Sequence, residues 1–378
     1  YPFRLSAESQ LKDTLIVYHI LCNNKKYEYG FRYNAESIKS EWLKQITKKT
    51  TYTIFERDVE ESTFDLSYLL KLNPKEEESQ FLSFFAKATP QRQLFLHEVL
   101  TRNIKDNVSN IDDLEAVINW FSNSLKIIFP DTPYKQGVLL KAAGDHDLQR
   151  GFAALLRYFD TGVDSVKLID VQFDKLGIPQ DLHRAIKTDL AKLKDDGAFG
   201  ALRYDNNLFL INAINGDIKA KKLMTVHKRI DDENIELFSL GDESDGTKRL
   251  FDYIPLILDL VQGDKVFVVD EMERSLHPSL IQQILTIFYK YSENTASQLI
   301  FTTHESSLMN LKILRRDEIW LISKIQDEVS TFGRMDDMYD VRFDKMLQHS
   351  YLNGEYNATP KFGSEEDIEK LFNKIKGD

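Results

Sequence analysis

The segment Lys265–Pro278, with the sequence KVFVVDEMERSLHP, decides the fold that we predict for this chain. It opens with an unbroken apolar run at residues 266–269, which is typical of a strand buried on both faces of a parallel sheet. Two acids, Asp270 and Glu271, follow this run directly. In open α/β sheets, ligands bind beyond the carboxyl ends of the strands. The segment therefore predicts a parallel α/β sheet that presents two carboxylates at its functional edge.

The residues that follow predict the rest of a βαβ unit. Residues 279–291 form a helical pattern with Pro278 near its first position, where proline is tolerated. Residues 299–303 form a second apolar run, and His304 comes directly after it. The interval from Asp270 to His304 has the length of one βαβ unit, whose crossover is expected to be right-handed. We therefore expect His304 at the same sheet edge as the two acids.

A third polar segment, Asp242–Arg249 with the sequence DESDGTKR, precedes this unit and opens another helical pattern. Ser244 suits a helix cap, and Gly246 allows backbone N–H groups to approach an anion. A helix N-terminus of this kind suits a phosphate. Each signal is weak alone, since capped helices, acids after strands and a histidine at a strand end are all common.

Composition limits the class of protein. The chain has 378 residues, 42% of them hydrophobic and 29% charged, which is typical of a globular protein with two lobes. Its single cysteine, Cys22, cannot form an internal disulfide, so we predict a reducing, cytoplasmic location. No apolar run approaches the ~18 residues of a membrane helix, so we expect no membrane partner. The net charge of −11 disfavours broad contact with nucleic acid, although the basic residues between Lys219 and Arg229 leave a local patch open.

The first half of the chain changes character twice. Residues 14–22, 26–33 and 51–56 predict an antiparallel meander with a tight turn at Asn23-Asn24, whereas residues 36–46 fit a helix or a strand equally well. A long amphipathic helix is predicted from Ile111 to Phe129, where Pro130 stops it. The remaining predicted elements are strands at residues 166–173, 208–214, 224–228, 235–238, 320–325 and 329–332, and helices at 149–159, 180–193 and 364–376.

These patterns predict three domains. Residues 1–57 would form an antiparallel β-lobe, and residues 58–160 a helical insertion or lid. Residues 161–378 would form the C-terminal lobe that carries the polar segments described above. The predicted fold class is α/β, with a mostly parallel sheet, an antiparallel lobe and a helical insertion.

Taken together, the polar segments resemble the ABC-type branch of the P-loop ATPases, in its RecF/OLD-like form. The Asp270-Glu271 pair resembles the Walker B motif, DESDGTKR the ABC signature, Ser275–His277 the D-loop, and His304 the switch histidine. The whole chain is similar, more loosely, to bacterial AAA-family ATP-binding proteins of abortive-infection and anti-phage defence systems. The looser similarity includes Pro2–Leu5, Tyr27–Phe31, Arg316–Trp320 and Tyr351–Gly354.

This resemblance implies a cofactor set and a role for each residue. ATP and Mg²⁺ would bind, with Asp270 holding the metal ion through water, Glu271 activating the attacking water, and His304 contacting the γ-phosphate. The signature and the D-loop of one copy would close on ATP held by another, so the family pattern implies a homodimer or a higher homo-oligomer. The residues that would contact the nucleotide in this way are Ser244, Asp245, Gly246, Thr247, Arg249, Ser275 and His277.

One part of the family pattern is missing from these residues. No phosphate loop of the form GxxxxGK[ST] occurs in the 378 residues. We expect a segment ahead of Tyr1 to carry it; otherwise the chain cannot bind nucleotide alone.

Several functions remain open at this point. The favoured one is an ATPase that regulates or drives an effector, a nuclease or toxin, in anti-phage defence. Alternatives are a DNA-repair or SMC-like ATPase and a non-hydrolysing scaffold, although Glu271 and His304 argue against a scaffold. An OLD-type fused nuclease is disfavoured because the residues after His304 are too few for a domain of ~100–150 residues. The acidic cluster of Asp336, Asp337 and Asp340 also lacks an upstream Glu motif.

Overall fold

The computed structural model describes residues 7–10, 12–130, 146–192, 199–214, 217–232, 234–324, 330–339, 346–360 and 363–376. The chain divides into two compact units, Tyr1–Lys126 and Ile127–Asp378. This boundary differs from those predicted after residues 57 and 160. In the first unit, side chains of the strands, such as Leu43 and Phe55, share one core with helical residues such as Leu82, Phe95 and Leu114. The helices after residue 58 are therefore packed on the β-lobe.

The first unit begins with a five-stranded antiparallel meander in the order β1-β2-β3-β4-β5. The predicted turn is present, with Asn23 and Asn24 both at positive φ (50° and 59°), as a two-residue hairpin turn requires. Residues 36–46, whose sequence fits a helix or a strand equally well, contain a strand at Ile38–Ile46. The elements are α1 Ala7–Gln10, β1 Thr14–Cys22, β2 Lys25–Tyr33, β3 Ile38–Ile46, β4 Thr51–Asp58, β5 Thr63–Asp65, α2 Ser67–Leu72, α3 Glu76–Ala88, α4 Phe95–Thr101, a 3₁₀ turn Ile104–Asp106 and α5 Asp112–Asn119.

The predicted helix from Ile111 to Phe129 is wrong in its last part. The helix α5 continues as a π-helical turn at Trp120–Ser124, and the chain then extends into the strand β6, Leu125–Ile128. A mostly apolar run as short as Leu125–Ile128, LKII, fits a strand and a helix equally well, so its sequence could not decide between them. Ile128 is 2% exposed and lies in the core of the second unit, which is why the run becomes a strand.

The second unit is built around a three-stranded sheet in the order β13-β12-β6. The elements of this unit are α6 His146–Tyr158, β7 Ser165–Val171, a 3₁₀ turn Phe173–Lys175, α7 Gln180–Lys192, β8 Phe199–Tyr204, β9 Asn207–Ile214, β10 Asp217–Lys228, β11 Ile235–Ser239, a 3₁₀ turn Leu240–Asp242, α8 Asp245–Gln262, β12 Val266–Val269, α9 Pro278–Tyr291, β13 Gln298–Phe301, 3₁₀ turns Ser306–Leu308 and Arg316–Glu318, β14 Trp320–Lys324, β15 Ser330–Arg334, α10 Met335–Met338, α11 Leu347–Leu352 and α12 Glu365–Lys376.

Strands β12 and β13 are parallel, with Val269 opposite Phe301, as the βαβ prediction requires. One face of β12 is fully buried: Phe267 and Val269 are inaccessible and share a core with residues of α8 and α9. The other face is only partly covered, since Val266 and Val268 are half-buried. The prediction of burial on both faces is therefore right for one face only.

A second, antiparallel sheet has the strand order β11-β10-β9-β8, and β7 also pairs with β10. The strand β10 is longer than the predicted residues 224–228 because it pairs in turn with β9, β7 and β11. The α/β class, with one parallel and several antiparallel sheets, is confirmed. Pro2–Leu5, Asp340 and the predicted strand ends Ile325 and Val329 lie outside the described residues. No helix within the described part is long and apolar enough to cross a membrane.

Candidate active site

The carboxyl edge of the β13-β12-β6 sheet holds the first group of predicted site residues. The Asp270 N–H donates to the Ile128 carbonyl at the end of β6, at 2.9 Å. On the other side, the Thr302 N–H donates to the Val269 carbonyl at 3.0 Å, and the Met272 N–H donates to the Thr302 carbonyl at 3.1 Å. The structure therefore brings Asp270 and the segment that contains His304 to one edge of one sheet.

Thr302 fixes both acids and was not among the predicted site residues. Its hydroxyl donates to Asp270 Oδ1 at 2.6 Å and accepts from the Glu271 N–H at 2.9 Å. The first bond restricts the rotamer of Asp270 and leaves Oδ2 without a bond to the threonine. In the sequence, the only feature that could have identified Thr302 is its position two residues before His304.

Glu271 is held in an unusual backbone conformation. Its φ is 48°, in the left-handed region that non-glycine residues rarely adopt. Among the described residues, none donates a hydrogen bond to its carboxylate, although Thr302 holds its backbone N–H. Residues in sparsely populated backbone regions cluster at active sites, where the surrounding structure enforces them. Glu271 thus has a fixed backbone and a carboxylate that is available to water.

His304 lies beside Glu273, a second residue that the sequence did not identify as a site residue. The His304 N–H donates to Glu273 Oε1 at 2.6 Å, a short charge-assisted bond. The other carboxylate oxygen, Oε2, is buried and has no hydrogen-bond partner within the described residues. The imidazole itself is exposed. Glu273 therefore links the turn after β12 to the loop after β13 and sets the direction from which His304 leaves the sheet.

The second group of site residues lies at the start of α8. Ser244 is the N-cap of this helix, and its hydroxyl accepts from the Thr247 N–H at 3.1 Å. The Thr247 hydroxyl lies 2.9 Å from the Ser244 hydroxyl, whereas Asp245 is exposed and only 3.5 Å from Lys248 Nζ. The exposed Ser244 and the first N–H groups of a long helix form a surface that suits an anion.

Gly246 places this helix tip against the D-loop of the same chain. A Cβ atom at position 246 would lie 3.0 Å from the Ser275 carbonyl oxygen, so no larger residue fits without movement. Ser275 itself has a φ of 63°, a second left-handed residue in the turn after β12. The signature segment and the D-loop are therefore direct neighbours, and the requirement for glycine comes from backbone contact.

Arg249 occupies an interior position, in contrast to the predicted contact with nucleotide. It is 6% exposed, and its guanidinium lies over the Tyr253 ring at 4.8 Å from the ring centroid. The guanidinium also donates to the Tyr253 hydroxyl at 3.3 Å, and that hydroxyl donates to the Met272 carbonyl at 3.1 Å. Burial raises the pKa of Tyr253, which keeps its hydroxyl protonated as a donor. Arg249 thus couples α8 to the turn that carries Glu271.

Glu243, directly before the N-cap Ser244, is a buried acid that the sequence analysis also missed. Its carboxylate accepts from the Thr225 hydroxyl in a very short bond and lies 2.7 Å from His227 Nε2. Both partners belong to β10, the central strand of the antiparallel sheet. The start of α8 is therefore anchored to β10 by a polar cluster that is almost excluded from water.

His277 has a local structural role in this chain. It is the N-cap of α9, and its Nδ1 accepts from the Ser279 N–H at 3.2 Å. Pro278 follows at the first helical position, as predicted. The exposed ring of His277 lies in the same turn as Ser275. The predicted D-loop is therefore a capped helix start with an accessible imidazole.

The two groups of site residues are in contact, but they do not form a single site. Within the described residues, no hydrogen bond joins Ser244 to Asp270 or Glu271. The links between the groups run through the Gly246–Ser275 contact and through Tyr253 to Met272. One chain therefore presents a carboxylate edge and a helix tip as two adjacent surfaces.

The carboxylate edge fits Mg²⁺. Asp270 and Thr302 supply hard oxygen atoms 2.6 Å apart, the kind of donor that Mg²⁺ prefers. Within the described part of the chain, no group of three or more His, Cys, Asp or Glu side chains could hold a metal by itself. A Mg²⁺ ion here would keep water and take phosphate oxygens as ligands, which is its usual behaviour in phosphoryl-transfer sites.

Two other polar clusters are engaged in ion pairs. In the basic patch, Lys221 pairs with Asp170 at 3.8 Å, and Arg229 pairs with Asp231 at 3.2 Å. In the C-terminal acidic cluster, Asp336 and Asp337 pair with Arg334 at 2.7 and 2.9 Å. These pairs favour the interpretation of both clusters as solvated surface and give little support to a nucleic-acid or nuclease site.

Comparison with known proteins agrees with this geometry. The model of a family described as "AAA domain, putative AbiEii toxin, Type IV TA system" matches residues 10–310. These residues extend from the end of α1 to the loop after His304 and include the predicted signature, Asp270, Glu271 and the predicted D-loop. A search of curated proteins finds no match. The resemblance to AAA-family proteins of abortive-infection type is confirmed, and the chain belongs to this family of AAA domains.

Proposed function

We propose that this protein hydrolyses ATP at sites shared between two copies and thereby controls an effector, a nuclease or toxin, in bacterial defence. The observation that carries the proposal is the placement of Asp270, Glu271 and the His304 loop at one sheet edge. Backbone bonds and the Thr302 and Glu273 side chains fix all three. An Asp and a Glu placed at the carboxyl edge of such a sheet suit the Mg²⁺ binding and the water activation that phosphoryl transfer to water needs.

Each residue at the carboxylate edge would have a separate role in hydrolysis. Glu271 would accept a proton from the attacking water, since its carboxylate is not engaged by the described residues while its backbone is fixed. Asp270, with its rotamer set by Thr302, would hold Mg²⁺ through its water shell. When bound, Mg²⁺ supplies positive charge to the β- and γ-phosphate oxygens. The exposed imidazole of His304 would contact the γ-phosphate from the neighbouring strand.

The helix tip at Ser244 would complete the site of a second copy. Ser244 is exposed at the tip of α8, and the N-terminus of a long helix suits the negative charge of a γ-phosphate. In one chain they make no hydrogen bond to Asp270 or Glu271 within the described residues, which favours a phosphate held elsewhere. Arg249 would act as a positioning residue through Tyr253, because it is buried.

The effector is proposed to act in trans. The family description names a toxin of a type IV toxin–antitoxin system, which supports a toxic activity under the control of the ATPase. In this chain, Asp336 and Asp337 are already paired with Arg334, so the acidic cluster gives no support to a nuclease in cis.

The test compares Glu271→Gln with the parental full-length protein. Removal of the base should slow ATP hydrolysis by about 10²–10⁴-fold and leave ATP binding within a few-fold of the parent. The matched control is Glu293→Gln, which removes an exposed acid after α9 and should retain parental turnover. Parental turnover in the Glu271 variant would contradict the assignment of the base. Failure of the parental protein to bind ATP at all would favour a non-hydrolysing scaffold.

A further inference from the structure

Helix α12, Glu365–Lys376, is exposed on every side. Its four large apolar residues are all at least half exposed: Ile368 at 54%, Leu371 at 51%, Phe372 at 53% and Ile375 at 69%. They recur at i, i+3, i+4 and i+7, so they form one continuous stripe on one face of the helix. No residue of this helix is buried. The stripe is an amphipathic face of the kind that packs against another element, and no element in the described part of the chain covers it.

Such a helix needs a partner to be stable. It has 12 residues, about the length below which an isolated helix is marginal in water. A contiguous apolar face rimmed by charges marks an interaction site. The charges beside the stripe therefore indicate what kind of partner fits.

The charges are arranged differently on the two sides of the stripe. At 100° per residue, Asp367 and Lys374 border one side, and Glu365, Glu369 and Lys376 border the other. On each border the acids precede the lysine, and in an antiparallel pair both Glu365 and Glu369 lie near the partner's Lys376. Lys370 lies on the far face, where it pairs with Glu366 at 2.7 Å.

We propose that α12 pairs in antiparallel fashion with α12 of a second copy of this chain. In that arrangement each border meets the same border of the other helix, running in the opposite direction. Asp367 then faces the partner's Lys374, and Glu365 faces the partner's Lys376. The stripe is also self-complementary, since Ile368 meets the partner's Ile375. Leu371 and Phe372 flank the centre of the stripe on opposite sides, so each lies beside the same residue of the partner. A twofold axis between residues 371 and 372 relates the two isoleucines, and one between residues 370 and 371 relates the charged pairs, so the two sets agree to within one residue, or about 1.5 Å along the helix.

Parallel pairing is disfavoured by the same residues. It would place the border of Asp367 beside the partner's Glu365 and the border of Lys374 beside the partner's Lys376. Like charges at facing border positions are destabilising, as in coiled coils. The antiparallel arrangement is the one in which every facing border charge has an opposite partner.

The contact is small and therefore reversible. Two helices of about three turns each bury less surface than the roughly 1,000 Å² that a stable interface needs. We expect weak self-association that requires no nucleotide, so it can be measured independently of the proposed ATP site.

Disulfide trapping tests the geometry on the full chain, without nucleotide. Since Cys22 is the single cysteine, the background is Cys22→Ser. Leu371→Cys lies next to the twofold axis and should form a dimer under mild oxidation, at least about tenfold faster than the background, because paired Cα atoms must approach within ~7 Å. Ile368→Cys should not dimerise alone, since in the antiparallel pair its counterpart is about 10 Å away along the axis. Mixed with Ile375→Cys, it should cross-link.

Two outcomes would overturn the proposal. Dimerisation of Ile368→Cys alone would indicate parallel pairing, and no cross-linking of Leu371→Cys would indicate that another partner, such as the effector, covers the stripe. A charge test adds a readout without cysteines. Lys374→Glu with Lys376→Glu, and separately Glu365→Lys with Asp367→Lys, should each lose self-association, and an equimolar mixture of the two variants should regain it. A mixture that stays monomeric would also contradict the proposal.

Discussion

At the residue scale, the site depends on side chains that hold other side chains in place. Thr302 bonds to Asp270 and to the backbone of Glu271, and Glu273 bonds to the backbone of His304. None of these contacts could be predicted from residue spacing, because the tertiary structure determines which N–H group lies next to an acid in a loop. The sequence therefore identified Asp270, Glu271 and His304 as candidates but did not identify Thr302 and Glu273.

Glu273 offers a direct test of this positioning. Glu273→Ala removes the acceptor of the His304 N–H. The change should reduce kcat about tenfold with little change in KM, because a misplaced catalytic group reduces transition-state stabilisation more than substrate binding. Glu273→Gln keeps an oxygen acceptor and should retain most of the activity. ATP turnover of the two variants measures the difference.

The double variant Glu273→Ala with His304→Ala is the control. If Glu273 acts through His304, the double variant should be about as slow as His304→Ala alone. Additive losses would contradict a positioning role and would assign Glu273 a function of its own.

In the first unit, Asp113 is the residue on which acid stability depends most clearly. It is 6% exposed and accepts from Lys25 Nζ at 2.7 Å and from the Tyr27 hydroxyl at 2.6 Å. Burial opposes ionisation, but the hydrogen bonds from Lys25 and Tyr27 outweigh it and lower the pKa of Asp113. A lowered folded-state pKa gives stability that is fully present above the unfolded value near ~3.9 and is lost as the pH falls through the folded value.

Asp113→Asn should therefore destabilise the first unit by about 1–3 kcal/mol at neutral pH and by less below pH ~3.5. Urea unfolding followed by tryptophan fluorescence in a Trp320→Phe background reports this unit alone, since Trp42 and Trp120 are then the remaining tryptophans. A difference that stays constant down to pH ~2.5 would show that Asp113 contributes through shape and not through charge.

At the element scale, α8 connects the two halves of the site. Its tip carries Ser244 and Gly246. Its second and third turns carry Arg249 and Tyr253, which reach the turn after β12. Pro255 lies inside α8, yet the helix continues to Gln262. The sequence predicted the helix and its cap because both depend on local residues. It did not predict the inward direction of Arg249, which depends on the core beneath the helix.

Tyr253→Phe tests this connection. The change removes the hydroxyl that joins Arg249 to the Met272 carbonyl and leaves two buried polar groups with one partner fewer. We expect the second unit to lose about 1–3 kcal/mol of stability, with a smaller loss of ATP turnover. Thermal unfolding and turnover measure the two effects. The control is Tyr289→Phe, whose partially exposed hydroxyl bonds to Glu318 at 3.0 Å outside the site and should affect stability less and turnover not at all. Unchanged stability in Tyr253→Phe would contradict the coupling.

The elements also show where periodicity is informative. Strands β12 and β13 could be predicted, because each apolar run is followed by polar residues and a helical pattern of the right length separates them. Strand β6 could not, because its four residues continue the apolar pattern of α5, and only the edge of the core sheet makes them extended. The meander was predictable from alternation and from the Asn23-Asn24 turn, which is a local signal.

At the scale of the whole molecule, we propose that one chain carries two halves of different ATP sites. The carboxylate edge and the helix tip are adjacent, but no hydrogen bond joins Ser244 to Asp270 or Glu271 within the described residues. The resemblance to ABC-type ATPases implied this division, whereas the local sequence could not, since a helix cap and an acidic turn are each ordinary features. A functional assembly should therefore contain at least two copies, independently of the α12 contact.

The most direct measurement is ATP turnover in a mixture of two inactive full-length variants. Ser244→Asp keeps the helix cap but adds a negative charge where the γ-phosphate would lie, and Ser244→Asn is its uncharged control. If the site is shared, an equimolar mixture of Ser244→Asp and Glu271→Gln should regain up to about a quarter of parental turnover, because half of the pairs are heterodimers with one intact site of two. If each chain hydrolyses ATP alone, the mixture will remain as inactive as its components, and the shared-site account is contradicted.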